Sequence, residues 1–199
     1  MALSRKIVEA TLLQTPSFPN SHFLSSFTTN MAMSPDYIDG RSMSKLLERV
    51  SSSEIVEKEN GEKEIVEFFI QPTFFDSPAK IEANPLNLSP IIIIGVVKDW
   101  RRSFSGLKPW LDFFKSQKPN HAILVAVIDN TTNKEGNVSE EELQKVIEEH
   151  KNTITSVSRY DFITGEGIPS NKAGLLACYE KLHPSSPQKK KHDENCSIM

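Results

Sequence analysis

Cys196 has the clearest chemistry in this sequence, because its thiol opens the terminal run Cys196-Ser197-Ile198-Met199. That pattern is a C-a-a-X signal for prenylation of the cysteine, and methionine in the last position favours a farnesyl group. Ser197, Ile198 and Met199 are then the recognition residues for a cytosolic prenyltransferase. Lys189, Lys190 and Lys191 precede the motif in a polar tail. One lipid chain binds a membrane marginally and reversibly, and stable attachment takes a second signal. Each lysine adds about 1 kcal/mol near an anionic leaflet, so the three supply that signal. Asp193 and Glu194 oppose part of it. The sequence therefore predicts exchangeable attachment to an anionic membrane surface on its cytoplasmic face, with a share of the protein in the cytosol.

Other reactive residue types carry weaker signals. Asp99, Asp129 and Asp161 fall at or near the ends of apolar runs. In an open α/β sheet ligands sit at that edge, so a metal or base-edge contact is one reading and surface turns the other. The polar run from Asp129-Asn130 to Asn137 favours turns. His22, His121, His150, His183 and His192 show no metal-ligand spacing, and His150 reads as a helix-end residue near the C-terminal dipole. Cys178 reads as a buried structural thiol. Two cysteines do not make a disulfide framework, and this fits a reducing compartment.

The elements that must position these residues follow from hydrophobic patterning. A chain of 199 residues suits one domain with extensions. A net charge of −3 gives no nucleic-acid footprint, and no apolar run approaches the length of a membrane span. Residues 5–13 read as a first strand, and 14–40 as a long irregular stretch. Met43, Leu46, Leu47 and Val50 fit one face of a short amphipathic helix. Two arms, 54–59 and 62–70, flank Asn60-Gly61 and predict a β-hairpin; Pro72 stops its ladder, and 71–90 reads as a loop. Ile91–Val97 and Ala122–Ile128 are continuous apolar runs of the kind buried on both faces of a parallel sheet. Leu107, Trp110, Leu111 and Phe114 mark a helix face between them. Ser139 and Glu142 form a capping box ahead of a stripe of Leu143, Val146, Ile147 and His150. A weaker strand spans 153–163, and a last helix from Ser170 presents Leu175, Leu176, Tyr179 and Leu182. The alternation predicts an α/β, doubly wound, mostly parallel sheet with one antiparallel hairpin at about 54–70. The domain plan is an N-terminal strand and irregular loop (1–39), an α/β domain (40–182) and a flexible polybasic tail (183–199).

This order of a hairpin, three strand-helix units, a basic tail and a prenylatable cysteine resembles the Ras and Rab small GTPases over roughly residues 50–199. Ser103-Phe104 is similar to the family's helix start, and Thr164-Gly165-Glu166-Gly167-Ile168 is similar to the segment after its last strand. The departures fall on the chemistry. Residues 14–22 lack the glycines and lysine of a phosphate cradle, and Gly40-Arg41-Ser42 is only a faint echo of one. Ile70-Gln71-Pro72-Thr73 lacks the acid and glycine of the switch. Val127-Ile128-Asp129-Asn130 replaces the guanine-reading motif, and Asp161-Phe162-Ile163 replaces the motif before the last loop. Asp129, Asn130 and Thr164 are then a vestigial nucleotide edge.

The resemblance implies a pseudo-GTPase without catalytic residues or metal site. Neither GTP nor magnesium is expected, only covalent farnesyl, and the activity is binding of a protein partner in trafficking or signalling. Alternatives are a divergent GTP-binding member and an adaptor-binding trafficking cofactor. For the latter, Leu107 to Asn130 loosely resembles the Rab-like domain of the alpha- and gamma-adaptin-binding protein. A further alternative is an imported organellar domain with an accidental CSIM ending, since residues 1–34 are rich in Ser and Thr and faintly transit-like. Phe18, Phe23, Leu24 and Phe27 are candidates to fill a vacant nucleotide site.

Overall fold

The computed structural model describes residues 4–16, 50–57, 61–73, 75–83, 88–117, 121–129 and 136–184. The tail residues Lys189–Lys191 and Cys196–Met199, with Asn130, His22, His192 and the four apolar residues 18, 23, 24 and 27, lie outside them.

Strands β1 (Ser4–Gln14), β2 (Val50–Glu57), β3 (Lys63–Pro72), β4 (Ile91–Val97), β5 (Ala122–Asp129) and β6 (Ser156–Asp161) form one sheet in the order β2-β3-β1-β4-β5-β6. β2 and β3 pair antiparallel, and the other neighbours pair parallel. Helices α1 (Pro78–Ala83), α2 (Arg101–Ser105), α3 (Leu107–Ser116), α4 (Glu140–Glu149) and α5 (Ile168–Leu182) interleave with the later strands. This is the doubly wound, mostly parallel α/β sheet expected from the sequence.

β4 and β5 explain the arrangement. β4 is buried at every position and β5 at all but Asp129, because alternate residues feed two cores. Ile91, Ile93, Val97, Leu124, Ala126 and Ile128 pack with Val8, Leu12, Phe68 and Ile70 under Leu175, Cys178 and Tyr179 of α5. Ile92, Ile94, Val96, Val125 and Val127 pack on the other face against Leu107, Trp110, Leu111 and Phe114 of α3 and Leu143 of α4. Each fully buried isoleucine stabilises the fold by about 1.5–3 kcal/mol, which is why runs without a polar residue occupy the centre. Gly174 lets α5 lie close on the sheet, since a Cβ there would stand 2.6 Å from Leu124 Cδ1.

Several local expectations change. Val50 is the first residue of β2, paired with Ile70, and not the end of a helical face; residues 43–49 lie outside the described residues. β2 starts earlier than its local pattern suggests because backbone pairing to β3 carries the serine run 51–53. β3 continues to Pro72, whose neighbour on the other side is Leu12 of β1. The 71–90 stretch is not all loop, since α1 lies within it and buries Ile81. β6 is shorter than expected. α5 begins at Ile168, ahead of Ser170, because Pro169 fits a first turn that needs no N–H donor. Gly61 has φ +79°, in keeping with the hairpin turn, while Asn60 lies outside the described residues.

Candidate functional site at the carboxyl edge of the sheet

Parallel register brings the strand ends together: Val97 pairs with Ile128, and Asp129 with Asp161. The three aspartates singled out from the sequence therefore meet. Asp99, Asp129 and Asp161 line one open cleft of about 390 Å³ with Lys98, Arg159, Glu166 and Gly167.

The cleft is internally neutralised along one wall. Lys98 Nζ lies 3.5 Å from Asp129 Oδ1 and 3.1 Å from Glu140 Oε2. Arg159 donates to Asp129 Oδ2 at 3.3 Å and also to Glu140 Oε1. Two cations and two carboxylates from β4's end, β5, β6 and α4 thus form a closed lattice. Burial works against charge on Lys98, but its bonds to Glu140 and Asp129 outweigh that and raise its pKa. Burial likewise opposes the charge on Glu140, and Arg159 and Lys98 reverse it, holding the carboxyl below its ordinary value. Both shifts favour the charged forms of Lys98 and Glu140, as a charge-assisted pair requires.

Asp161 serves a turn. Its Oδ1 accepts the backbone N–H of Ile163 at 2.9 Å and of Thr164 at 2.8 Å. Thr164 Oγ1 in turn accepts the Glu166 N–H at 3.2 Å, which braces the loop. Gly165 and Gly167 hold φ at +73° and +111°, and the Asp161 N–H donates to the Glu166 carbonyl at 2.8 Å. The segment 164–167 is a tight reversal that delivers the chain into α5. Among the described residues no group of three or more His, Cys, Asp or Glu could hold a metal ion.

The exit of β1, where the resemblance would put a phosphate loop, is closely packed. Thr15 Oγ1 donates to the Gly95 carbonyl at 2.9 Å and lies 2.5 Å from Ser103 Oγ, which also accepts the Val97 N–H at 2.9 Å. Trp110 Nε1 donates to the Gln14 carbonyl at 2.9 Å. A Cβ on Gly106 would stand 2.5 Å from Pro16 Cδ. The end of β3 is likewise engaged, with Gln71 and Pro72 in the ladder to β1 and Thr73 Oγ1 donating to the Leu12 carbonyl at 3.0 Å.

Two further candidates, His150 and Cys178, belong to the helices α4 and α5. His150 caps α4 and is buried, as its helix-end position suggested. Cys178 is buried in the α5 core, and that burial pushes its thiol up to about 12. Lys98, Glu140 and Arg159 were not singled out from the sequence. The one local signal is the alternation of Val157, Arg159 and Asp161 along β6, which sets Arg159 on the face toward α4. Among the described residues no helix is long and apolar enough to cross a membrane. No protein-family model matches this chain, and no curated protein matches it.

Proposed function

We propose that this chain is a prenylated, membrane-tethered, Ras/Rab-like pseudo-GTPase that works by binding a protein partner in membrane trafficking or signalling. The reading rests on the C-a-a-X ending, the lysine-containing tail and the order of hairpin and parallel strand-helix units.

One observation supports a reading without nucleotide chemistry. Asp129, the acid at the end of β5, is held between Lys98 and Arg159, and both cations are also bound by Glu140. With Arg159 on Oδ2 at 3.3 Å and Lys98 3.5 Å from Oδ1, a base edge would compete with two cations for the Asp129 carboxylate. Breaking such a pair leaves partly buried charges uncompensated. The packed exit of β1 and the paired end of β3 support the same reading, since phosphate and magnesium would need backbone amides and an acid there.

The expected result of heat-denaturing the purified protein is a supernatant without guanine nucleotide. Stoichiometric GDP or GTP would replace this reading with that of a GTP-binding member. For the tether, wild type and Cys196→Ser are compared by membrane fractionation and farnesyl-analogue labelling. Wild type takes up label and partitions to membranes, and the variant does neither. Identical behaviour without label would end the prenylation proposal.

A further inference from the structure

α4 is weakly held by apolar contacts. Of its ten residues only Leu143 is buried, with Val146 and Ile147 half-buried. Its two ends are held by polar groups instead. At the N-terminal end Glu140 joins the cleft lattice and Glu142 takes two bonds from Arg101, at 2.7 and 3.1 Å. At the C-terminal end stands His150, only 2% exposed, bridging to α3.

The bridge has a specific chemistry. Nδ1 of His150 lies 2.9 Å from the Val146 carbonyl oxygen, and Nε2 lies 2.9 Å from Asp112 Oδ1. A carbonyl oxygen has no proton to give. Nor does an ionised carboxylate, and the bonds to Asp112 from His150 and then Lys108 hold its carboxyl below the ordinary aspartate value. A neutral imidazole carries one N–H and can satisfy only one of these acceptors, leaving a nitrogen lone pair facing an oxygen at 2.9 Å. The imidazolium satisfies both. The carbonyl-rich end of α4 also favours a cation there.

We infer that His150 is a pH-dependent latch: as imidazolium it fastens the end of α4 to α3, and on losing its proton to solvent it lets that end loosen. The sign follows from the bonding. The contact is complete while both ring nitrogens carry a proton and is lost when one of them gives its proton up. Asp112 is half exposed, so its carboxylate can swing to solvent and to Lys108 Nζ, which already holds Oδ2 at 2.8 Å. The charged groups around the latch are Lys108 and Asp112 on α3, Glu148 and Glu149 at the end of α4, and Lys151 in the following turn, which pairs with Glu148 at 2.5 Å.

The test is amide hydrogen exchange of the full chain at about pH 6 and about pH 8, corrected for intrinsic exchange, with ¹⁵N spectra of the histidine rings. At the lower pH the His150 ring, assigned by its disappearance in His150→Gln, should carry protons on both nitrogens. His121 and His183 give internal comparison. Losing one charge-assisted bond should raise the α4 opening equilibrium about tenfold or more at the higher pH. In His150→Gln that difference should vanish. Should that variant not fold, Asp112→Asn keeps an acceptor at a half-exposed position, weakens the contact at the lower pH and narrows the difference. A single ring N–H at the lower pH, or equal corrected protection of α4 at both pH values in wild type, would overturn the latch.

Discussion

Gly165 and Gly167 stand two positions apart in the same reversal, and substituting each by alanine separates two costs of removing a glycine. Both hold φ in the left-handed region, at +73° and +111°. Placing an L-residue there costs roughly 1–2 kcal/mol. At Gly165 nothing lies within 4 Å of an added Cβ, so that is the whole cost. At Gly167 the Cβ would stand 2.1 Å from the Arg159 carbonyl oxygen and 2.8 Å from Tyr160 Cα. These are backbone atoms of β6 and cannot rotate away. Either β6 or the start of α5 must move, straining the 2.8 Å bond from the Asp161 N–H to the Glu166 carbonyl. Overpacking of this kind adds typically about 1–3 kcal/mol. Gly165→Ala should therefore lose about 1–2 kcal/mol and Gly167→Ala about 2–5 kcal/mol. Both substitutions change the unfolded chain in the same way, so their difference reports the native state. Urea unfolding of the three proteins measures it. A Gly167→Ala protein no less stable than Gly165→Ala would refute the steric argument.

Three other outcomes follow from the packing and charges. Trp110→Phe removes the donor to the Gln14 carbonyl and should cost about 1–3 kcal/mol in chemical denaturation; a loss below about 0.5 kcal/mol would mean that this carbonyl has another donor. Cys178, its thiol pushed up to about 12 by burial, is almost wholly protonated at pH 8, so iodoacetamide should modify it at least about a hundredfold more slowly than an exposed thiol. Equal labelling of Cys178 and Cys196 by intact mass would contradict that burial. Glu140 and Asp112 both titrate below their ordinary values in the fold, so the stability they contribute is present above the unfolded-state carboxyl values and is lost as pH falls through the depressed ones. Acid unfolding of Glu140→Gln should accordingly be less steep than that of wild type between about pH 5 and pH 3, and an unchanged slope would show that Arg159 and Lys98 do not stabilise that carboxylate.

Much of the fold was legible because its strongest determinants are local. Ile91–Val97 and Ala122–Ile128 name central strands without any partner in view, since only a strand covered on both faces tolerates such a run. Ser139 and Glu142 show both halves of the capping box, with Ser139 Oγ accepting the Glu142 N–H at 3.2 Å and Glu142 Oε2 accepting the Ser139 N–H at 3.1 Å. The start of β2 and the helix at 78–83 were not legible. Serines 51–53 have little strand preference of their own and are held by pairing opposite Phe69, Phe68 and Glu67, and α1 is six residues with one buried anchor, Ile81.

The candidate site divides in the same way. The sequence by itself determined that Asp99, Asp129 and Asp161 fall at or near strand ends, that His150 ends a helix and that Cys178 faces a core, because each depends on a periodicity of two or 3.6 residues. Only the tertiary structure decided what those groups do. Arg159 and Asp129 are 30 positions apart, and His150 and Asp112 are 38 apart. Parallel register and the packing of α4 turned three separate acids into one cleft, closed one of them between two cations and set a buried imidazole between two acceptors. Charge pairing acts over a few ångströms of space, and no local pattern along the chain encodes which distant residues the fold will bring within that reach.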